Sequence, residues 1–123
     1  MLLVALVAYA AASLLHHAHN AELLAEYPGM PAWLSRAGVY WAWSVVTGLG
    51  ALAYLLLCRG RPRAGLLLLA IYATYGFGSL AHYALAPPSA HGAAMNATIA
   101  AEVATAAWLL AAVIRAALSS AST

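Results

Sequence analysis

Residues 37–63 read AGVYWAWSVVTGLGALAYLLLC followed directly by RGRPR, and this stretch decides the class of fold. Residues 37–58 contain no charged side chain, and they are long enough to provide the ~20 apolar residues that cross a hydrocarbon core. Arginines follow immediately at positions 59, 61 and 63. Arginine and lysine collect on the cytoplasmic side of membrane proteins. We therefore predict a transmembrane helix whose cytoplasmic end lies at Cys58.

The composition of the whole chain agrees with this stretch. Of 123 residues, 66% are hydrophobic and 7% are charged, whereas about a quarter of the residues in a soluble domain are charged. Such a chain cannot form a water-soluble surface. The arginine cluster is too small to be a nucleic-acid-binding surface, so we predict no nucleic-acid partner. Cys58 is the single cysteine, which excludes a disulfide within the chain.

Four apolar segments recur along the chain, at about residues 2–27, 37–58, 64–86 and 92–118. Proline and glycine separate them at residues 28–31, 60–62 and 87–88, where such residues end helices. Residues 8–10 read AYA, which resembles a signal-peptidase site, but no positive charge precedes the apolar run, so we expect the segment to remain. We predict an all-α fold: a polytopic four-transmembrane-helix up-down bundle forming a single membrane domain, 1–123.

The arginines also predict the orientation. Because Arg59, Arg61 and Arg63 mark the cytoplasmic connection, both the N- and C-termini are expected to be cytoplasmic. Arg115 agrees, and Arg36 is the exception. The Ala/Leu/Arg-rich composition without lysine is typical of a GC-rich bacterial genome, which predicts the cytoplasmic (inner) membrane. The lipid bilayer is then the first partner, and a homodimer or a larger membrane complex are both compatible with the small size.

Each segment places its polar side chains on one helical face. Faces that repeat at i, i+4, i+7 and i+11 are expected to turn toward the bundle interior, because the apolar faces contact lipid. The four predicted faces are Tyr9, Ser13, His16 and Asn20; Tyr40, Ser44, Thr47, Ala51 and Tyr54; Tyr72, Tyr75, Ser79 and His82; and His91, Met95, Thr98, Glu102 and Thr105.

Packing between helices explains the hydroxyl groups on these faces, but it does not explain Glu102. A carboxyl group inside the hydrocarbon is costly unless it is paired, protonated or hydrated. At a rise of 1.5 Å per residue, Glu102 lies about 20 Å from Arg115, and His16 lies about 22 Å from Met1. Together with His82 at similar depth, they predict one chamber that opens toward the outer face. All five histidines and all three glutamates belong to that outer half.

The first functional hypothesis is binding or translocation of a small ligand in this chamber. The residues predicted to bind it are His16, Asn20, Ser44, Tyr75, Ser79, His82, His91, Thr98 and Glu102. A divalent metal ion is one candidate, because imidazole and carboxylate groups ligate transition metals. Its predicted ligands are His16, His19, Glu22, His82 and His91. Histidines at helix ends are also often only solvated or packed, and that alternative stays open.

Two further classes of function fit the same residues. In a membrane-embedded enzyme acting on a lipid-like substrate, Glu102 and either His16 or His82 are the candidate acid–base pair. In an electron-transfer subunit, His16 and His82 hold a haem b between helices. A purely structural subunit also fits, so the sequence alone does not decide whether the protein is an enzyme.

Overall fold

The computed structural model describes residues 1–121, and the regular secondary structure of these residues consists of helices. The α-helices are α1 (Leu2–Glu22), α2 (Arg36–Cys58), α3 (Pro62–Tyr75), α4 (Ala81–Leu85) and α5 (Ala93–Ala121). A 3-10 helix at Gly76–Leu80 joins α3 to α4, and shorter 3-10 turns lie at Leu24–Glu26 and Pro88–Ala90. Within residues 1–121 there is no strand, so the predicted all-α fold is confirmed.

Four helical spans are long and apolar enough to cross a membrane: Leu2–Glu22, Arg36–Cys58, Pro62–Leu85 and Ala93–Ser120. They agree with the predicted segments except at the end of the first, which stops at Glu22 rather than near residue 27. After Glu22 the chain turns back, and the Tyr27 hydroxyl lies 2.8 Å from His19 Nδ1. A helix continued to Tyr27 would carry that side chain about 12 Å further along the axis. The hydrogen bond therefore requires the helix to end early.

The connections between the spans are short, and they set the two ends of the bundle. We call the end with connections 23–35 and 86–92 the histidine end, and the opposite end, with connection 59–61, the arginine end. Gly60 has φ 71° in the tight turn between α2 and α3, a left-handed conformation that glycine adopts without steric cost. At the other end, the Ser35 side chain accepts a hydrogen bond from the Gly38 amide and caps α2.

The core is formed mainly by α1, α3 and α5, while α2 packs on the outside against α1 and α3. The apolar core extends from the arginine end to the middle of the bundle, and its members include Ala5, Tyr9, Leu69, Tyr72, Ala106 and Leu109, each no more than 1% exposed. These residues form closely packed apolar core, as in other protein interiors. The buried histidines His16, His82 and His91 and the buried Glu102 lie toward the histidine end.

At Gly76 the third span lies in close contact with α5. A Cβ atom at this position would lie 2.5 Å from Ala106 Cβ and 2.7 Å from Tyr9 Cε2. Only glycine allows this distance, as at other close helix crossings. The contact holds the 3-10 helix against α5, which brings Ser79 and His82 toward Glu102.

The predicted polar face of α2 is wrong. Ser44 is exposed on the outside of the bundle, and its hydroxyl donates to the Tyr40 carbonyl at 2.8 Å. The buried residues of α2 are instead Val39, Gly50 and Ala53. The physical reason is that a serine hydroxyl can be satisfied by the carbonyl four residues earlier in its own helix. Ser44 therefore does not need to face the bundle interior. The small residues Gly50 and Ala53 determine which face of α2 packs against the other helices.

Candidate functional site

A polar cavity of about 220 Å³ lies at the histidine end, between α1 and the third span. Its volume holds several water molecules or a small organic group. The residues that line it come from all three core spans: His16, His17 and Asn20 from α1, Tyr75, Gly78, Ser79 and His82 from the third span, and Glu102 from α5. The sequence analysis predicted that His16, His82 and Glu102 converge, and the structure brings them together here.

Glu102 is the buried acidic group of the cavity, with 2% of its surface exposed. His16 Nε2 lies 3.8 Å from Glu102 Oε2, and His17 Nδ1 lies 3.8 Å from Glu102 Oε1. Both distances are too long for direct hydrogen bonds. The carboxyl group therefore lies next to two imidazoles without bonding directly to either.

The hydrogen bonds of His16 define which of its nitrogens faces Glu102. The Thr98 hydroxyl lies 2.9 Å from the Met95 carbonyl and 3.3 Å from His16 Nδ1; when the hydroxyl donates to the carbonyl, its oxygen accepts from His16 Nδ1. With the proton on Nδ1, a neutral imidazole presents the lone pair of Nε2. That lone pair points toward a carboxyl oxygen. His16 Nε2 and Glu102 Oε2 are then two hydrogen-bond acceptors 3.8 Å apart, and a proton or a hydrogen-bond donor is needed to satisfy them.

Buried polar atoms on the opposite side of the cavity also lack hydrogen-bond partners. The Asn20 amide nitrogen donates to His82 Nε2 at 3.3 Å. Asn20 Oδ1, His82 Nδ1 and Glu102 Oε2 are buried and have no hydrogen-bond partner. Burying an unsatisfied polar group costs about 1–3 kcal/mol. Two of these three atoms are oxygen acceptors, so the cavity is complementary to a molecule that donates hydrogen bonds.

Tyr27, which was not among the predicted site residues, covers the cluster at the histidine end. Its ring centroid lies 5.0 Å from that of His82 and 6.5 Å from that of His91, and only 3% of its surface is exposed. The His91 ring is held by a hydrogen bond from Nδ1 to the Pro87 carbonyl at 3.1 Å. No sequence pattern indicated Tyr27, because it follows the helix and returns to it through a turn.

Two residues predicted as metal ligands, His19 and Glu22, lie outside the cavity. Glu22 accepts hydrogen bonds from Arg36 Nη2 at 2.7 Å and from the Tyr40 hydroxyl at 2.8 Å, while His19 bonds to Tyr27. The positive charge of Arg36 attracts the nearest exposed carboxylate and turns it toward α2. In the part of the chain that is described, no group of three or more His, Cys, Asp or Glu side chains is placed to hold a metal ion.

The remaining predicted residues occupy different positions around the cavity. Tyr75 is 55% exposed and lies at the mouth, and the Ser79 hydroxyl donates to the Gly76 carbonyl at 2.9 Å. Thr98 positions His16 rather than lining the cavity. Ser44 lies on the far side of α2 and takes no part.

His16 and His82 are in direct edge-to-face contact. Their ring centroids are 5.3 Å apart with an interplanar angle of 76°. A porphyrin ligated from two sides must lie between its axial histidines, and this contact leaves no space for one. The arrangement therefore does not support the haem hypothesis.

Comparison with protein-family models, curated proteins and solved structures finds no match for this chain. Its function is accordingly inferred from the geometry of the cavity.

Proposed function

We propose that this protein is a membrane protein that binds a small hydrogen-bond-donating ligand, such as an alcohol or an ammonium group, in the cavity beside Glu102. The observation that carries the proposal is the gap between His16 Nε2 and Glu102 Oε2, two acceptors 3.8 Å apart at the wall of a cavity. An ammonium group beside the pair, at about 3 Å from each atom, would donate to both of them, and a hydroxyl, which has one proton, would donate to one. The bond to Glu102 Oε2 would also satisfy that atom, which has no partner.

The chain is proposed to lie in the cytoplasmic membrane of a bacterium, with the arginine end in the cytoplasm. Arg59, Arg61 and Arg63 are exposed at that end, which fits the tendency of arginine to remain on the cytoplasmic side. Arg36 lies at the opposite end, but its charge is paired with Glu22. The cavity then lies in the outer half of the membrane. Because the other half is packed apolar core, binding is favoured over translocation.

A second candidate is an enzyme that uses the same pair for acid–base chemistry. The bond from His16 Nδ1 to Thr98 leaves Nε2 facing Glu102, so one proton can move between imidazole and carboxyl through a bound hydroxyl or amine. Such an oriented pair is the usual requirement for general acid–base catalysis. Binding is the function common to both candidates and is tested first.

Butylamine, which is an ammonium ion at neutral pH, is expected to raise the melting temperature of the purified protein in detergent. A ligand of the folded state present at ten times its Kd stabilises that state by about 1.4 kcal/mol. Butyrate has the same chain length and the opposite charge, and it is expected to have no effect because Glu102 repels it. The measurement is thermal unfolding followed by circular dichroism.

Two glutamine variants provide the matched comparison. Glu102→Gln removes the carboxylate of the cavity and is expected to abolish the effect of butylamine. Glu22→Gln removes a carboxylate outside the cavity and is expected to keep that effect. Equal stabilisation of both variants by butylamine, or none in the unmodified protein, would contradict the proposed function.

A further inference from the structure

A second depression adjoins the polar cavity on the outside of the third span. It has a volume of about 310 Å³ and is lined by Ile71, Thr74, Tyr75 and Gly78. The Thr74 hydroxyl donates to the Ala70 carbonyl at 2.8 Å, so it offers no free proton to a ligand. We call this depression the apolar groove. It is complementary to a hydrocarbon chain rather than to a polar molecule.

The groove and the cavity share two lining residues, Tyr75 and Gly78. Both are exposed on the surface of the bundle, which is the surface that faces lipid if the four spans cross a membrane. The missing side chain at Gly78 leaves the junction open, since a Cβ atom placed there would have no neighbour within 4 Å. A molecule in the groove would therefore lie directly beside the cavity, on the side that faces lipid if the spans cross a membrane.

From this continuity we infer that the ligand is an amphiphile: a hydrocarbon chain that lies in the apolar groove and a hydroxyl or ammonium headgroup that enters the cavity from the bilayer. The inference rests on the proposed function and specifies its ligand class. Charge determines the headgroup, because Glu102 Oε2 and Asn20 Oδ1 are buried acceptors without partners. An anionic headgroup would place a second negative charge beside Glu102 and would be excluded.

The test uses a hexadecylamine that carries a photoreactive diazirine close to the amino group, with the protein reconstituted in phosphatidylcholine vesicles. After irradiation, mass spectrometry of peptides is expected to locate the label on residues lining the cavity. The hexadecanoic acid analogue with the same diazirine is expected to give about tenfold less labelling there, a difference typical of the loss of one favourable charge interaction.

Gly78→Leu is expected to fill the junction and to lower cavity labelling by hexadecylamine about tenfold. Gly48→Leu is the matched control, because Gly48 is also an exposed helical glycine with no atom within 4 Å of a Cβ, and it lies on α2 away from the cavity. Its labelling is expected to equal that of the unmodified protein. Circular dichroism of both variants shows whether the leucines leave the fold intact.

The outcomes separate failure of the lateral route from failure of the proposed function. Labelling that disappears in Glu102→Gln but persists in Gly78→Leu would keep the binding site and overturn lateral entry through the groove. Labelling that is unchanged in all variants, or equal for the acid and the amine, would overturn both proposals. Labelling by hexadecylamine that falls on the groove and not on the cavity would show that the headgroup does not enter the cavity, and it would overturn the amphiphile.

Discussion

Replacing His16 with leucine is expected to destabilise the folded protein by about 1–3 kcal/mol, because it removes the bond to Thr98 and leaves the buried carboxyl group of Glu102 against an apolar side chain. His16 and Glu102 are each 2% exposed. Without the imidazole, the nearest charged or ionisable neighbour of the carboxyl group is His17, whose Nδ1 already bonds to the Ser13 carbonyl at 2.9 Å. The measurement is the free energy of unfolding in mixed micelles, obtained from titration with a denaturing detergent.

A double-mutant cycle separates the pair from simple loss of packing. In the Glu102→Leu background, the same His16→Leu substitution is expected to cost at least 1 kcal/mol less, within the ~0.5–3 kcal/mol found for coupled neighbours. In the Glu22→Leu background, His16→Leu is expected to have the same cost as in the unmodified protein, because Glu22 contacts α2 rather than the cavity. Equal costs in all three backgrounds would show that His16 and Glu102 do not act as a pair.

Gly76→Leu is expected to destabilise the bundle by about 3 kcal/mol or more, since overpacking a tight contact forces backbone shifts. Even the Cβ atom of the introduced leucine would lie 2.5 Å from Ala106 Cβ. The alanine side chain ends at this Cβ atom, so the backbone of α5 lies directly behind the contact. The remaining atoms of leucine require the 3-10 helix that begins at Gly76 to separate from α5. The same unfolding titration measures the loss.

Gly48→Leu again provides the control, because it adds the same atoms at an open position. Its free energy of unfolding is expected to stay at or above that of the unmodified protein, since leucine is a better helix former than glycine by about 0.8–1 kcal/mol. Similar destabilisation of both variants would mean that the crossing at Gly76 does not hold the third span against α5.

The fold follows from the sequence wherever one strong physical requirement decides it. Apolar length predicts the four spans, and the polar faces of α1 and α5 are buried as expected, with Ser13, His16, Thr98 and Glu102 all inside. The face of α2 was not predictable in this way. The Ser44 hydroxyl is hydrogen-bonded within its own helix, so its polarity does not indicate which face of α2 turns toward the bundle. The close packing of Gly50 against the Tyr72 ring determines that face.

The site was predicted in part, for reasons of the same kind. Equal depth in the membrane brings His16, His82 and Glu102 together, since depth depends only on residue count and helical rise. Local structure outside the spans decides the rest. Tyr27 reaches the cluster through a turn, and Arg36 draws Glu22 away from it, so neither position could be read from helical spacing.

The most direct test of the binding site is modification of Glu102 by dicyclohexylcarbodiimide, a lipid-soluble reagent that converts carboxyl groups into N-acylureas. With the reagent in excess over the added compound, the proposed site predicts that mass spectrometry finds the N-acylurea on Glu102 in membranes. Butylamine is expected to leave Glu102 with neither the N-acylurea nor the butylamide that a free amine forms with an activated carboxyl group, whereas butyrate is expected to give no protection. A Glu102 that remains unmodified, or that is modified equally with either compound, would contradict a ligand-binding cavity at this position.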